Sequence, residues 1–293
     1  MSKKDRKKKL TKKVKRSLGK FKAKFKAKSK KIRRKIKRSI KRSFQKTIKK
    51  IKSNILISER MKKKYGIVDV PLDKETNKGT KASSNFVDYD YQRLNNIIRF
   101  IHSEMKQRND IFYFKPLEDS FIEVNIITKE IKPSYLPQTE YIENIKKSVS
   151  KRYIPITVNI QLPTHSHANV ILIDNELKNI EYFEPHGYKK EESTLESIEN
   201  AVGIKLRLLK LFFSKLLPDY KFINVGDYFK RQGFQMKHDA RHGYCVTWSI
   251  IYVHYRFLNP SLPINILIKY LYYHINRNKL LRYARYIEKV LKL

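Results

Sequence analysis

His167-Ala168-Asn169-Val170-Ile171-Leu172-Ile173-Asp174 decides the fold. From Ala168 it is a near-continuous apolar run of strand length, rich in β-branched residues and closed by a carboxylate. That pattern predicts a buried β-strand. Upstream, Ile154, Ile156, Val158, Ile160 and Leu162 alternate with other residues, which predicts a strand with one buried face. Pro155 near its start marks a strand beginning or an edge. Downstream, Asn175-Glu176-Leu177-Lys178 is a turn, and Asn179-Ile180-Glu181-Tyr182-Phe183-Glu184 a third strand stopped by Pro185-His186-Gly187. The last two strands form an antiparallel hairpin. His167 opens one and Glu184 closes the other, so both fall at the same edge of the sheet.

Working outward, Arg93 to Met105 reads as a helix, Phe121 to Ile127 as a strand and Tyr141 to Val149 as a short helix. A helical region runs from Ser193 to Leu217, and Lys221 to Val225 is a short strand. The C-terminal part is helical over Tyr244–Leu258, Ile264–Ile275 and Lys279–Leu291, with breaks at Asn259-Pro260 and Asn276-Arg277-Asn278. Strands followed by a run of helices indicate an α+β domain: a central, mainly antiparallel sheet with flanking helices.

Charge divides the chain. Of 66 Lys/Arg and 27 Asp/Glu, residues 1–64 hold 32 basic and two acidic residues, a net of +30. The remainder, 66 − 32 basic and 27 − 2 acidic, nets +9. Leu10, Val14, Leu18, Phe21 and Phe25, then Ile32, Ile36, Ile40, Phe44, Ile48, Ile51 and Ile55, recur at helical spacing between the lysines and arginines. This predicts a basic amphipathic helix or, unbound, a disordered basic tail. Its expected partners are nucleic acid or an anionic membrane surface. Residues 65–85 read as a linker, and 86–293 as the globular domain.

One cysteine rules out an intramolecular disulfide. No run reaches the roughly 18 apolar residues of a transmembrane segment, and no apolar h-region follows the charged N-terminus. The expectation is a protein that is not secreted.

The lone thiol lies in Gly243-Tyr244-Cys245-Val246-Thr247-Trp248-Ser249, which also holds the one tryptophan. An apolar helical run follows, placing Cys245 at a helix N-terminus, where the helix dipole favours a thiolate. A single buried cysteine is more often an inert small hydrophobe. A nucleophile also needs a base, a group to orient that base, and donors for the oxyanion. His167, Glu184 and Gln235 supply these types, Gln232 is an alternative oxyanion donor, and His165 an alternative base.

The order His167, Glu184, Gln235, Cys245 resembles the ubiquitin-like-protein (SUMO) protease and adenovirus protease clan of cysteine peptidases. The 184 − 167 = 17-residue gap matches that clan, and Asp174 sits where its first-strand Asp sits. The segments 167–174, 182–187 and 243–249 look like the versions carried by large DNA viruses. The resemblance implies a Cys245–His167–Glu184 triad with Gln235 in the oxyanion hole. It implies a peptidase acting on a protein substrate, here a viral structural polyprotein cut at small-residue sites, in the host cytoplasm or virion. No cofactor is expected, with DNA as a candidate non-covalent activator. The chain departs from the clan in three ways. Ala168 replaces a Trp that helps clamp a Gly-Gly tail in SUMO proteases, the acid is Glu, and Gln235 lies 245 − 235 = 10 residues before the cysteine. The alternatives are a SUMO or ubiquitin-like isopeptidase, and a non-enzymatic nucleic-acid-binding structural protein.

Overall fold

The computed structural model describes residues 35–37, 39–74, 99–105, 108–114, 121–133, 136–161, 166–187, 196–229, 233–238 and 244–291. His165, Gln232, residues 1–34 and the linker beyond 74 lie outside them. The chain forms two compact units, Met1–Ile57 and Ser58–Leu293. In the first, residues 39–57 are helical and exposed almost throughout, Ile40, Phe44, Ile51 and Ile55 included.

The second unit is built on six strands: β1 (Phe121–Asn125), β2 (Glu130–Pro133), β3 (Tyr153–Gln161), β4 (Ser166–Asp174), β5 (Asn179–Phe183) and β6 (Lys221–Asn224). Their order is β2-β1-β3-β4-β5-β6. The β1–β2, β3–β4 and β4–β5 pairs are antiparallel, and β1–β3 and β5–β6 parallel. The helices are α1 (Gln138–Lys147), α2 (Glu196–Leu216), α3 (Phe234–His238), α4 (Cys245–Leu258), α5 (Ile264–His274) and α6 (Arg277–Leu291). The architecture is α+β, with the mainly antiparallel sheet that the alternation indicates. Among the described residues no helix is long and apolar enough to cross a membrane.

Pro155 is the third residue of β3, opposite Leu172, so it marks the strand beginning rather than a sheet edge. A proline has no ladder donor to give. The sheet loses little, because β1 joins β3 only from Thr157 onward.

One face of the sheet carries Ile154, Ile156, Val158, Ile171, Ile173, Ile180 and Tyr182, packed on Leu209, Phe213 and Leu216 of α2. These α2 positions recur at helical spacing, so one stripe of the helix faces the strands. On the other face α4 packs against β4 and is buried on all sides from Cys245 to Phe257. A helix buried on all sides belongs at the centre of a fold, and packing along its 14 residues fixes where Cys245 lies.

Residues 67–73, linker by composition, pack against the C-terminal helices. Val68 and Asn259 exchange two bonds of 2.7 and 2.9 Å. Asp69 accepts from Tyr255 at 3.0 Å and Tyr270 at 2.6 Å, and Ile67 and Val70 are buried.

Candidate active site

β4 and β5 pair as a hairpin whose last hydrogen-bonded register is Val170 opposite Phe183. Each pair sums to 353, so one step further sets 169 opposite 184, and His167, Asn169 and Glu184 share one face at the open end of the hairpin. Beyond Glu184 the chain turns through Pro185 and His186, closed by Gly187 N–H donating to Glu184 O at 3.1 Å. The His167 and His186 rings stack with centroids 4.2 Å apart and planes 9° apart. His167 Nε2 meets Glu184 Oε1 at 2.5 Å, with both side chains buried.

The Cys245 side chain lies close enough to interact with the His167 imidazole. Cys245 is the first residue of α4 and is 3% exposed. Burial acts to lower the imidazole pKa. The Glu184 charge, the bond to Cys245 and the bond to Glu184 outweigh it and push His167 up to about 9. The ring is thus cationic at neutral pH, flanked by a carboxylate and a sulfur.

Glu184 is held on every side. Its Oε1 also accepts the backbone N–H of His186 at 3.1 Å. When the Asn169 amide is assigned so that its oxygen accepts from Tyr182 Oη (3.2 Å), its nitrogen reaches Glu184 Oε1 at 3.2 Å. Oε2 takes the ammonium of Lys205, on α2, in a buried ion pair. Burial favours the neutral acid here. Lys205, then His167 with its bond, then His186 outweigh that and hold Glu184 well below the usual carboxylate range.

Gln235 reaches the same place by a different route. Gly233 N–H donates to His186 O and Gln235 N–H to Pro185 O, both at 3.0 Å, so residues 233–235 run against 185–187. The approach is close enough that a Cβ on Gly233 would lie 2.1 Å from the His186 carbonyl carbon, which only glycine permits. Gly187 has φ +69°, a second reason for glycine at this crossing. Phe234 stacks on Trp248 of α4 at 5.0 Å, tying the Gln235 segment to the cysteine helix. Gln235 is buried, and its Oε1 has no hydrogen-bond partner among the described residues.

A buried ionic cluster docks α4 on the sheet from behind. Arg256, 256 − 245 = 11 residues after Cys245, donates to both oxygens of Glu181 on β5, at 2.9 and 2.8 Å. Tyr252 Oη adds a bond of 2.6 Å to Glu181, and the Arg256 guanidinium also donates to Leu262 O at 2.8 Å. Asp174 caps the β4–β5 turn through the Glu176 and Leu177 N–H groups, both at 3.1 Å, and faces Arg152 and Arg256. It lies at the opposite end of β4 from His167.

The structure thus joins His167 to Glu184 by a hydrogen bond, with Cys245 in interaction with His167 and Gln235 on the neighbouring segment. Sequence reading missed Lys205, whose place in a basic helical run carries no sign of burial. It also missed the stacked His186, which the turn after β5 brings onto His167.

No family model matches the chain. An ankyrin repeat protein of Acanthamoeba polyphaga mimivirus is 25% identical over 154 residues, 46% of this chain and 20% of its own length. The chain therefore spans about a fifth of that relative. Among solved structures it is similar to the Chlamydia trachomatis effector ChlaDUB1 (14% identity, 72% of this chain and 88% of that one, TM-score 0.39). It is also similar to the SUMO protease Ulp1 (12%, 82% and 94%, TM-score 0.39). A third likeness is to the Legionella pneumophila effector RavZ (14%, 75% and 66%, TM-score 0.38).

Proposed function

We propose that the chain is a cysteine peptidase with Cys245 as nucleophile, His167 as general base and acid, Glu184 as the orienting carboxylate and Gln235 as an oxyanion donor. The observation that carries this is the position of His167, bonded through Nε2 to Glu184 at 2.5 Å and in interaction with the Cys245 side chain. In this reading Cys245 Sγ adds to the scissile carbonyl, and negative charge develops on the oxygen. The Gln235 amide and the Cys245 backbone N–H stabilise that charge. The imidazolium passes its proton to the leaving amine as the C–N bond breaks, leaving a thioester on Cys245. Neutral His167 then takes a proton from water as it attacks the thioester, and the thiol and the new carboxylic acid are released.

Ala168 in place of a Trp favours an endopeptidase on a structural polyprotein over a SUMO-type isopeptidase, since a small residue cannot clamp a Gly-Gly tail. The test is incubation with candidate viral polyproteins and with ubiquitin-like conjugates, wild type against Cys245→Ala. Cleavage of polyprotein alone, lost in the variant, is the expected result. Deconjugation alone would move the substrate to the ubiquitin-like class, and cleavage that survives Cys245→Ala would overturn the nucleophile.

For residues 1–64 we infer a polyanionic partner, nucleic acid by charge and an anionic membrane by the exposed Ile40, Phe44, Ile51 and Ile55 along one helix. Binding to duplex DNA that falls steeply with salt and survives Phe44→Ala assigns the first. Binding to phosphatidylserine vesicles that is lost with Phe44→Ala assigns the second. A lack of binding to either refutes both.

A further inference from the structure

We propose that Lys205 is a positioning residue for the reaction, fixing Glu184 so that a glutamate serves where one methylene less would be simpler to hold. The inference rests on the peptidase reading above. Lys205 lies on the stripe of α2 that continues through Leu209, Phe213 and Leu216, all packed on the sheet. At that place in the pattern a hydrophobic residue is expected, yet a lysine is there and only 7% exposed. Burying an ammonium is unfavourable unless it is paired. Its partner is Glu184 Oε2, the oxygen that His167 does not use.

Two consequences follow. The first is geometric. Glutamate has one more rotatable bond than aspartate, so its carboxylate samples more positions unless both oxygens are held. On Oε1 the holders are His167, the His186 N–H and the Asn169 amide. On Oε2 the holder is Lys205. Three donors crowd Oε1, whereas Lys205 is the one holder of Oε2 among the described residues, so without it that oxygen would be unrestrained.

The second is where the proton resides. In a buried His–Glu pair with no other charge, the proton can pass to the carboxylate and leave both groups neutral, since burial penalises the ion pair. A second cation on Glu184 opposes that transfer. Lys205 thus keeps the proton on the imidazole, from which it must reach the leaving amine.

The test compares Lys205→Met, Lys205→Arg and Glu184→Gln in the full chain, on a peptide that wild type cleaves. Lys205→Met should lower kcat by about 10- to 100-fold, less than loss of the carboxylate itself, with KM changed by less than about twofold. Lys205→Arg should recover much of the loss. In a Glu184→Gln background, Lys205→Met should cost nothing further, because the two act as one unit. A second readout needs no turnover: the low-field proton NMR resonance of the His167 N–H bonded to Glu184. It should shift or broaden in Lys205→Met and persist in Lys205→Arg. Should Lys205→Met not fold, Lys205→Gln keeps a donor, removes the charge and takes its place. Wild-type kcat together with an unmoved resonance in the neutral variants would overturn the proposal. A resonance that depends on Lys205 in a protein that cleaves no substrate would support the positioning role while sinking the peptidase reading.

Discussion

The Arg256–Glu181 pair predicts an asymmetry between two single substitutions. Arg256 gives two bonds to Glu181, and Tyr252 adds a third, all buried. Glu181→Gln removes the anion and leaves a guanidinium that cannot shed its proton. Breaking one side of a buried pair costs about 3–5 kcal/mol. Asp174 remains 3.8 Å from Arg256 as a second anion, which places the loss near the lower end, about 3 kcal/mol. At about 2–4 °C per kcal/mol for a domain of this size, the midpoint should fall by about 10 °C. Arg256→Met leaves Glu181 instead, and a carboxyl can neutralise itself. Burial already acts to push Glu181 up, and without Arg256 the strongest opposing influence is gone. A folded-state pKa above the unfolded value of about 4.3 gives stability that is full below the unfolded value and lost as pH rises through the folded one. The Arg256→Met protein should therefore regain stability on acidification, by about 1.4 kcal/mol per pH unit between its raised pKa and about 4.3. Glu181→Gln should show no such recovery. The assays are thermal unfolding for the midpoint and urea unfolding for the free energy, on residues 58–293 between pH 4.5 and 8. Equal losses in the two variants, both independent of pH, would refute the reasoning.

Four further outcomes follow. Activity should fall as pH rises through about 9, where His167 loses its proton, and Glu184→Gln should move that limb down, because the Glu184 charge is the largest influence raising it. The same variant should lower kcat by about 10²–10⁴-fold, whereas Asp174→Asn, at the turn, should lower the unfolding midpoint and leave kcat nearly unchanged. Gly233→Ala should displace the Gln235 segment, since its Cβ meets the His186 backbone, and should reduce kcat more than KM in a peptide assay. Deleting residues 1–57 should leave hydrolysis of a short peptide intact, because His167, Glu184, Gln235 and Cys245 all belong to the second unit, and loss of hydrolysis would count against that division.

The parts legible in the sequence are those encoded locally. Ile154 to Glu184 shows strands because alternation and a turn need only neighbouring residues, and the hairpin alone places His167 beside Glu184. Cys245 at a helix start is legible from the apolar run after it. Strand β2, Glu-Ile-Lys-Pro, is too short and polar to show a period, and its parallel neighbour pair β1–β3 depends on contacts far apart in sequence. Lys205 looks like one more cation in a basic chain, since only the packing of α2 on the sheet buries it. Residues 67–73 look like linker because their partners, Asn259, Tyr255 and Tyr270, lie some 190 residues on.

The most direct measurement is the rate at which iodoacetamide alkylates Cys245, followed by mass spectrometry of the intact full-length protein at about pH 6. The label is unambiguous because the chain has one cysteine. If His167 activates the thiol, wild type should react much faster than a free thiol peptide despite its burial, and His167→Ala should lose that advantage. Equal rates in wild type and His167→Ala would contradict the account.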